Sequence, residues 1–460
     1  MSTSPTAPPR PRAVLLGVQL SGVSDAEQES SLGELARLAK TLGLEVVGRV
    51  TQRRARLATA AVAGEGKLRE LAAWTGGTGV VPTGPPSSKR SQGEDEPEEA
   101  ADGAAEAAAV QPGARASVVV VDHELTPSQA RNLERATGVE VLDRSAVILA
   151  IFQRHARSRE ARLQVEIARL AYWAPRMRES GGRDREGGGI GGRGAGESQL
   201  ELDRRKIRDR IAELRSELVG IEREAGTRRK RRGDLPTVAL VGYTNAGKSS
   251  WMRALTASGV HVEDKLFATL DTTVRALQPE THPRILVSDT VGFIKKLPHD
   301  LVASFRSTLD EARECALLVQ LVDASDPAFP AQIEVTREVL ASIGATESPR
   351  LLVLNKADRL DPETRARLAS DWPDALLLSV KSAPDVAALR ERIVAFFESG
   401  HVEAELVVPY ARQRVVAEAH ALARVLEERH DATGTTLRVR GTAEAVGRLR
   451  ELLRRPDAGA

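Results

Sequence analysis

Lys248 and Ser249 close the run Gly242, Tyr243, Thr244, Asn245, Ala246, Gly247, which follows a short apolar stretch at 238–241 and precedes an amphipathic helical pattern starting near Ser250. Glycines in a strand–loop–helix let the backbone wrap a polyphosphate, so that N–H groups and the helix N-terminus face its negative charge. A lysine at position 248 reaches the β- and γ-phosphates, and the Ser249 hydroxyl is placed to bind Mg²⁺. A second apolar stretch, 284–288, ends in Asp289, Thr290, Val291 and Gly292. Asp289 can hold the Mg²⁺ hydration shell, and the Gly292 N–H can approach a γ-phosphate and withdraw when it leaves. A third, 351–354, ends in Asn355, Lys356, Ala357 and Asp358. A carboxylate at 358 accepts from the two donors that guanine presents at N1 and N2; adenine presents an acceptor at N1 and leaves the carboxylate unpaired. Ser379, Val380 and Lys381 follow the next strand and can offer backbone N–H to guanine O6. Four such elements in this order, each at the carboxyl end of a strand, point to a GTP/GDP site with Mg²⁺ as cofactor and with Lys248 and Gly292 nearest the chemistry.

The threonine that would complete the Mg²⁺ shell falls between the phosphate loop and Asp289. Thr269, Thr272 and Thr273 all qualify, and spacing alone does not choose among them. Position 293, where many GTPases carry a water-orienting glutamine, is Phe293. An apolar side chain cannot orient water, so unaided hydrolysis is expected to be slow and open to stimulation by a partner. His299 and Arg306, just downstream, read as helix decoration.

These segments need a scaffold, and 460 residues exceed one ordinary core. Residues 1–12 read as a disordered tail without the apolar core of a signal peptide, and a cytoplasmic location is expected. No apolar run approaches the ~20 residues of a membrane span. The single cysteine, Cys315, excludes an intramolecular disulfide and a cysteine-based zinc site, and reads as a buried thiol. Over 13–152, strand character at 13–20, 44–50 and 117–121 alternates with helical spacing at 30–42 and 68–74, which predicts an N-terminal α/β domain with a mostly parallel sheet. Residues 81–112, rich in Pro, Gly, Ala, Glu and Ser, read as a disordered insertion. The P-loop GTPase domain spans 235–400. A small C-terminal α/β domain over 401–460 reads as strand 404–408, helix 412–428, strand 436–440 and helix 444–453. The fold class is α/β throughout, apart from one helical insertion, and nothing calls for an oligomer, so a monomer is expected.

That insertion, 153–232, carries 22 Lys/Arg against 13 Asp/Glu on a chain whose net charge is only +2. It predicts two long helices, 153–179 and 197–232, around a glycine-rich tip. In the second, Ile207, Ile211, Leu214, Leu218, Ile221 and Ala225 alternate spacings of four and three, a coiled-coil seam that Leu163, Ile167 and Leu170 of the first helix can cover. Pro175 should end the first helix near Ala174. Residues 181–196 hold nine glycines with Arg183, Arg185 and Arg193. So bare a tip can follow an RNA surface closely, with Arg204, Arg205, Lys206 and the basic run 228–232 adding attraction to phosphates. A flexible linker between solvated helices is the alternative.

The motifs resemble those of the HflX family of ribosome-associated GTPases over roughly residues 13–400. The resemblance rests on Gly64-Glu-Gly-Lys-Leu-Arg-Glu-Leu71, on Asp122-His-Glu-Leu-Thr-Pro-Ser-Gln129 with Asp143 and Arg144, and on the glycine-rich signature 187–201 with Asp203, Arg204 and Arg205. It extends to two switch segments, 266–271 and 289–294. It implies a GTPase that binds the large (50S) ribosomal subunit and its rRNA, projects the helical hairpin toward the peptidyl-transferase centre and splits stalled ribosomes, often under stress. It also singles out Thr269 as the Mg²⁺ threonine and implies an ATP-binding activity in the N-terminal region. Departures are the insertion at 81–112, Thr272-Thr-Val-Arg275 in place of Pro-Thr-Thr-Arg, Val380 in place of Ala, and Ser250 in place of Thr. Two function classes follow: an enzyme-switch whose GTP state fixes a ribosome-bound conformation, or an RNA-binding assembly or stability factor with a nearly idle GTPase.

Overall fold

The computed structural model describes residues 10–81, 115–177, 199–231, 235–257, 266–267, 273–281, 283–295 and 311–454. The insertion from 82 onward, the glycine-rich tip with Arg183, Arg185 and Arg193, and Thr269, Thr272, His299 and Arg306 lie outside them. The chain divides into two compact units, the division falling between Glu217 and Leu218.

In the first unit, β1 (Arg12–Leu20), β2 (Glu45–Arg54), β3 (Val118–Val121) and β4 (Glu140–Asp143) form a sheet in the order β2-β1-β3-β4. Every pairing is parallel. The crossovers are α1 (Asp25–Thr41), α2 (Glu65–Thr75) and α3 (Pro127–Thr137), followed by α4 (Arg144–His155). Local chemistry sets their ends. Ser24 with Glu27, and Thr126 with Gln129, form reciprocal capping boxes at α1 and α3, and Asp143 caps α4 by accepting from the Ala146 N–H. β3 is four consecutive buried valines, as a strand covered on both faces requires.

A buried ion network fastens this sheet to its helices. Arg144, at the start of α4, donates to Asp122 at the end of β3 (2.8 Å) and pairs with Glu34 of α1 (3.0 Å), while Ser31 donates to the other Asp122 oxygen (2.7 Å). All three charged side chains are almost completely buried.

The stretch predicted as one helix over 153–179 is instead two. α4 ends at His155, Ala156 turns extended, and Ser158 caps a new helix, α5 (Arg159–Trp173), by accepting from the Ala161 N–H. The serine side chain competes for the backbone at the helix start, which the apolar spacing alone does not reveal. Pro175 lies in a short 3₁₀ turn, 174–176, that closes α5. α6 (Gln199–Arg231) runs 33 residues. Ion pairs Arg159–Glu217 (2.5 Å) and Arg210–Glu166 (3.4 Å) link α5 to the first part of α6, and their reversed order makes the two helices antiparallel. Leu214, between those pairs, is completely buried, and Ile207 and Ile211 are half-buried. Arg204, Arg205 and Lys206 are exposed on the same helix.

In the second unit, β5 (Thr237–Gly242), β6 (Thr273–Ala276), β7 (Leu286–Asp289), β8 (Leu317–Asp323), β9 (Arg350–Asn355) and β10 (Leu376–Leu377) form a sheet ordered β10-β9-β8-β5-β7-β6. Only β6 runs antiparallel, pairing with β7. The helices are α7 (Lys248–Thr256), α8 (Phe329–Ser342), α9 (Pro362–Asp371) and α10 (Ala383–Glu398). Cys315 is buried among Ala239, Val241, Leu318 and Leu340, and burial pushes its thiol up to about 11, so it is inert as a nucleophile.

The C-terminal segment corrects a second expectation. The helix predicted over 412–428 stops early: α11 spans Arg414–Leu422, and β12 (Arg424–His430) pairs antiparallel with β13 (Gly434–Thr442). β11 (His401–Pro409) completes a three-stranded sheet, β11-β13-β12, and α12 (Ala443–Arg454) packs with α11 over it. Asp431 folds the intervening turn by accepting from the Thr433 and Gly434 N–H groups. Antiparallel pairing with β13 holds these residues extended against the helix preference of Glu427 and Glu428.

Replacing Arg144 with methionine removes the cation that, among the described residues, pairs with both buried carboxylates, Asp122 and Glu34. The expected loss is about 3–5 kcal/mol. Hydrogen exchange of the β3 amides across a urea titration measures it, and an unchanged opening free energy would show that the network contributes nothing.

Candidate guanine-nucleotide site

β5 lies between β8 and β7, where the chain order reverses, and the loop after it opens at the carboxyl edge of the sheet. Gly247 has φ +97°, and a Cβ there would stand 2.3 Å from the Asn355 amide nitrogen, so only glycine permits the two loops to meet. They are fastened on both sides of that contact. Asn355 Nδ2 donates to Ala246 O (2.7 Å), and Lys356 Nζ donates to Asn245 O (2.8 Å). Lys356 takes a left-handed conformation, φ +63°, and pairs with Asp323 at the end of β8 (2.7 Å). Asn355 Oδ1 is buried with no hydrogen-bond partner among the described residues.

Lys248 is buried at the start of α7, and its ammonium donates to Gly242 O (3.1 Å) and Tyr243 O (2.9 Å). Burial pulls it down to about 8 from an ordinary 10.5, with Asp289 acting in the opposite sense. Next to it, Ser249 Oγ donates to Asp289 Oδ2 at 2.8 Å. Adjacent oxygens of an octahedral Mg²⁺ shell with bonds of 2.0–2.1 Å stand about 2.9 Å apart, so this pair of hard oxygen donors suits that ion. Thr273 is fixed on β6, in register with Asp289.

Gly292 comes close enough to the loop that a Cβ would lie 2.8 Å from Thr244 Cγ2 and 3.0 Å from Lys248 Nζ. The next residue ties the two segments together: Phe293 N–H donates to Gly242 O (3.1 Å), and Thr244 N–H donates to Phe293 O (2.7 Å). The Phe293 ring is turned into the core among Ala239, Val241, Ala312, Leu318 and Leu340. Tyr243 closes this region by accepting the Lys295 N–H on its hydroxyl (2.7 Å).

At the base-reading end, Ser379 Oγ donates to Asp358 Oδ1 (2.6 Å) and Lys381 Nζ to Asp358 Oδ2 (2.9 Å). The serine hydroxyl first, then the lysine, hold this carboxyl below its ordinary range, so it stays ionised. Each carboxylate oxygen has a second lone pair for a further donor. One expectation changes. The Ser379 N–H is engaged by Asp385 (2.8 Å), and the Lys381 N–H by Ser379 Oγ (3.3 Å), so neither is presented outward.

The sequence-derived residues 242–250, Asp289, Gly292, Asn355, Lys356, Asp358 and 379–381 therefore all come from strand ends, the loops that follow them and the first turn of α7, at one edge of one sheet. Asp323 and Asp385 were missed. Their signals were present: Asp323 closes the apolar run of β8, and Asp385 stands in the first turn after the helix cap Ser382.

Three family models match the chain. Residues 29–81 and 94–153 match the one described as GTP-binding GTPase N-terminal, 155–232 the GTP-binding GTPase Middle Region, and 237–356 the 50S ribosome-binding GTPase. The chain is 60% identical over 455 residues to the GTPase HflX of Gluconacetobacter diazotrophicus, covering 97% of this chain and 99% of that one. It is 37% identical to the GTPase HflX of Caldanaerobacter subterraneus, covering 96% and 94%. With the GTPase HflX of Escherichia coli it shares 41% identity over 331 residues, covering 71% of this chain and 78% of that one.

The Lys248 environment sets a pH dependence for the nucleotide-free protein. Its burial penalty is fully present below about pH 8 and is relieved as pH rises toward 10.5, because over that window the unfolded chain binds the extra proton. Lys248→Met should therefore unfold at higher urea than the unsubstituted chain at pH 7, by on the order of 1–3 kcal/mol. The gap should close between pH 8 and 10.5. A gap independent of pH, or a less stable variant at pH 7, would contradict the assignment.

Proposed function

The chain belongs to the HflX family of GTPases, and from that premise we propose that it binds GTP with Mg²⁺ across the edge of the β5–β9 sheet, associates with the large ribosomal subunit and splits stalled ribosomes. The observation that carries the nucleotide assignment is the double fastening of Asn355 and Lys356 onto Ala246 and Asn245. It fixes the distance between a base reader and a phosphate seat before any ligand binds, which lowers the ordering cost of binding.

In this reading the N–H groups of 242–250 and the Lys248 ammonium meet the phosphates. Ser249 and Asp289, with Thr269 as the family resemblance implies, would hold Mg²⁺, whose charge would offset the negative charge of the phosphates. Asp358 accepts from guanine N1 and N2. With the Ser379 and Lys381 N–H groups engaged, the Val380 N–H is left to meet O6. Gly292 reports the γ-phosphate by its close approach to Lys248 and Thr244.

The partner assignment rests on two supports. The relatives' family model over 237–356 is described as a 50S ribosome-binding GTPase. The antiparallel α5–α6 pair carries exposed Arg204, Arg205 and Lys206, and the sequence between the two helices contains the glycine-rich run with Arg183, Arg185 and Arg193. Phosphate contacts by that arm would make binding fall steeply with salt. The burial of Phe293 fits a GTPase that is slow until a partner completes its site.

Asp358→Asn should weaken GTP by about 10²-fold or more while improving xanthosine triphosphate, whose 2-oxo group suits an amide donor. Equal GTP affinity in the variant would remove the base-reading assignment. Isolated 50S subunits should raise GTP turnover at least tenfold over the free chain, and co-sedimentation should be stronger with a non-hydrolysable GTP analogue than with GDP; about tenfold is about 1.4 kcal/mol of barrier. Turnover unaffected by subunits would sink the partner reading.

A further inference from the structure

Tyr243 belongs to the phosphate loop, yet it is only 4% exposed and its hydroxyl accepts the Lys295 N–H at 2.7 Å. Two backbone bonds accompany this contact. Phe293 N–H donates to Gly242 O (3.1 Å) and Thr244 N–H donates to Phe293 O (2.7 Å), which makes a short parallel bridge between Tyr243 and Phe293. The Phe293 and Ile294 side chains are buried as well. The segment from Gly292 to Lys295 is thus laid along the phosphate loop and pinned at its far end by the tyrosine. At its near end Gly292 is pressed onto the loop. A Cβ there would lie 2.8 Å from Thr244 Cγ2 and 3.0 Å from both Thr244 Cα and Lys248 Nζ. A carbon–carbon bond adds about 1.5 Å, so the Gly292 Cα itself stands within about 4.5 Å of the ammonium. A γ-phosphoryl group bonded to Lys248 needs room on that side, and GDP does not.

We propose that the Tyr243 hydroxyl is a latch that sets the preference between GDP and GTP. It holds Gly292–Lys295 against the loop in the free chain, so that GTP, and not GDP, must release the Lys295 N–H in order to bind. The inference rests on the reading of 242–250 as the phosphate seat. Tyr243 is here a positioning residue: its side chain acts through Gly292 and meets no phosphate. A ligand shifts such an equilibrium only by its differential affinity for the two states, and the latch supplies that difference. The net worth of one hydrogen bond puts the discrimination at about threefold to tenfold.

Tyr243→Phe keeps the ring and removes the acceptor. Affinities of the full chain and of this variant are measured by titration calorimetry for GDP and for a non-hydrolysable GTP analogue, together with hydrogen exchange at the Lys295 amide. The phenylalanine variant should bind the analogue about threefold to tenfold more tightly and GDP within about twofold of the unsubstituted chain. In the unsubstituted chain the Lys295 amide should exchange slowly with GDP bound and faster with the analogue, and in the variant it should exchange fast with either. An unchanged ratio of the two affinities overturns the proposal, as does an equal change for both nucleotides, which a merely structural tyrosine would give. So does weaker analogue binding by the variant, or a Lys295 amide as protected with the analogue as with GDP. Failure of the unsubstituted chain to bind GDP would instead remove the reading of the phosphate seat itself.

Discussion

The site is organised around a buried cation. Lys248 stands at the start of α7 with its ammonium turned onto two carbonyls of its own loop, in surroundings that lower its affinity for a proton. Such a placement is unfavourable for the fold alone and becomes favourable when a polyanion arrives. The neighbouring features follow from this one. Gly242 supplies a carbonyl to the lysine, Asp289 lies near enough to counter the desolvation, and Gly292 has no side chain because the lysine and Thr244 occupy the space one would need.

Much of this was readable in the residues. The order of 242–249, Asp289, Gly292, Asn355 and Asp358 placed each at the end of a strand, and the parallel sheet brings those ends together. What the pattern did not carry was the network between the loops. Lys356 falls within the base-reading run but spends its ammonium on Asn245 O and Asp323, and Ser379 reads as a backbone donor but works through its hydroxyl on Asp358. Such roles depend on which loops the sheet order makes neighbours, and that order is not a local property of sequence.

Local patterning failed where side-chain or tertiary effects opposed it. Ser158 begins a new helix inside an uninterrupted run of helix-favouring residues, and the sheet partner β13 turns 424–430 into a strand although Glu427 and Glu428 favour helix. The α5–α6 pairing was legible because its apolar seam has helical period, and the ion pairs of Arg159 and Arg210 with Glu217 and Glu166 add its antiparallel direction. These exposed pairs contribute little energy and serve mainly to mark register.

The account stands on Lys248 receiving phosphate. Titration calorimetry of GDP binding at pH 8, repeated in buffers of different ionisation enthalpy, counts the protons taken up. The free lysine is half-protonated near that pH, and bound phosphate restores its affinity for the proton. Uptake of roughly half a proton per GDP is therefore expected at pH 8, falling toward zero by about pH 6.5. Zero uptake at pH 8, or the same uptake from Lys248→Met, would contradict it.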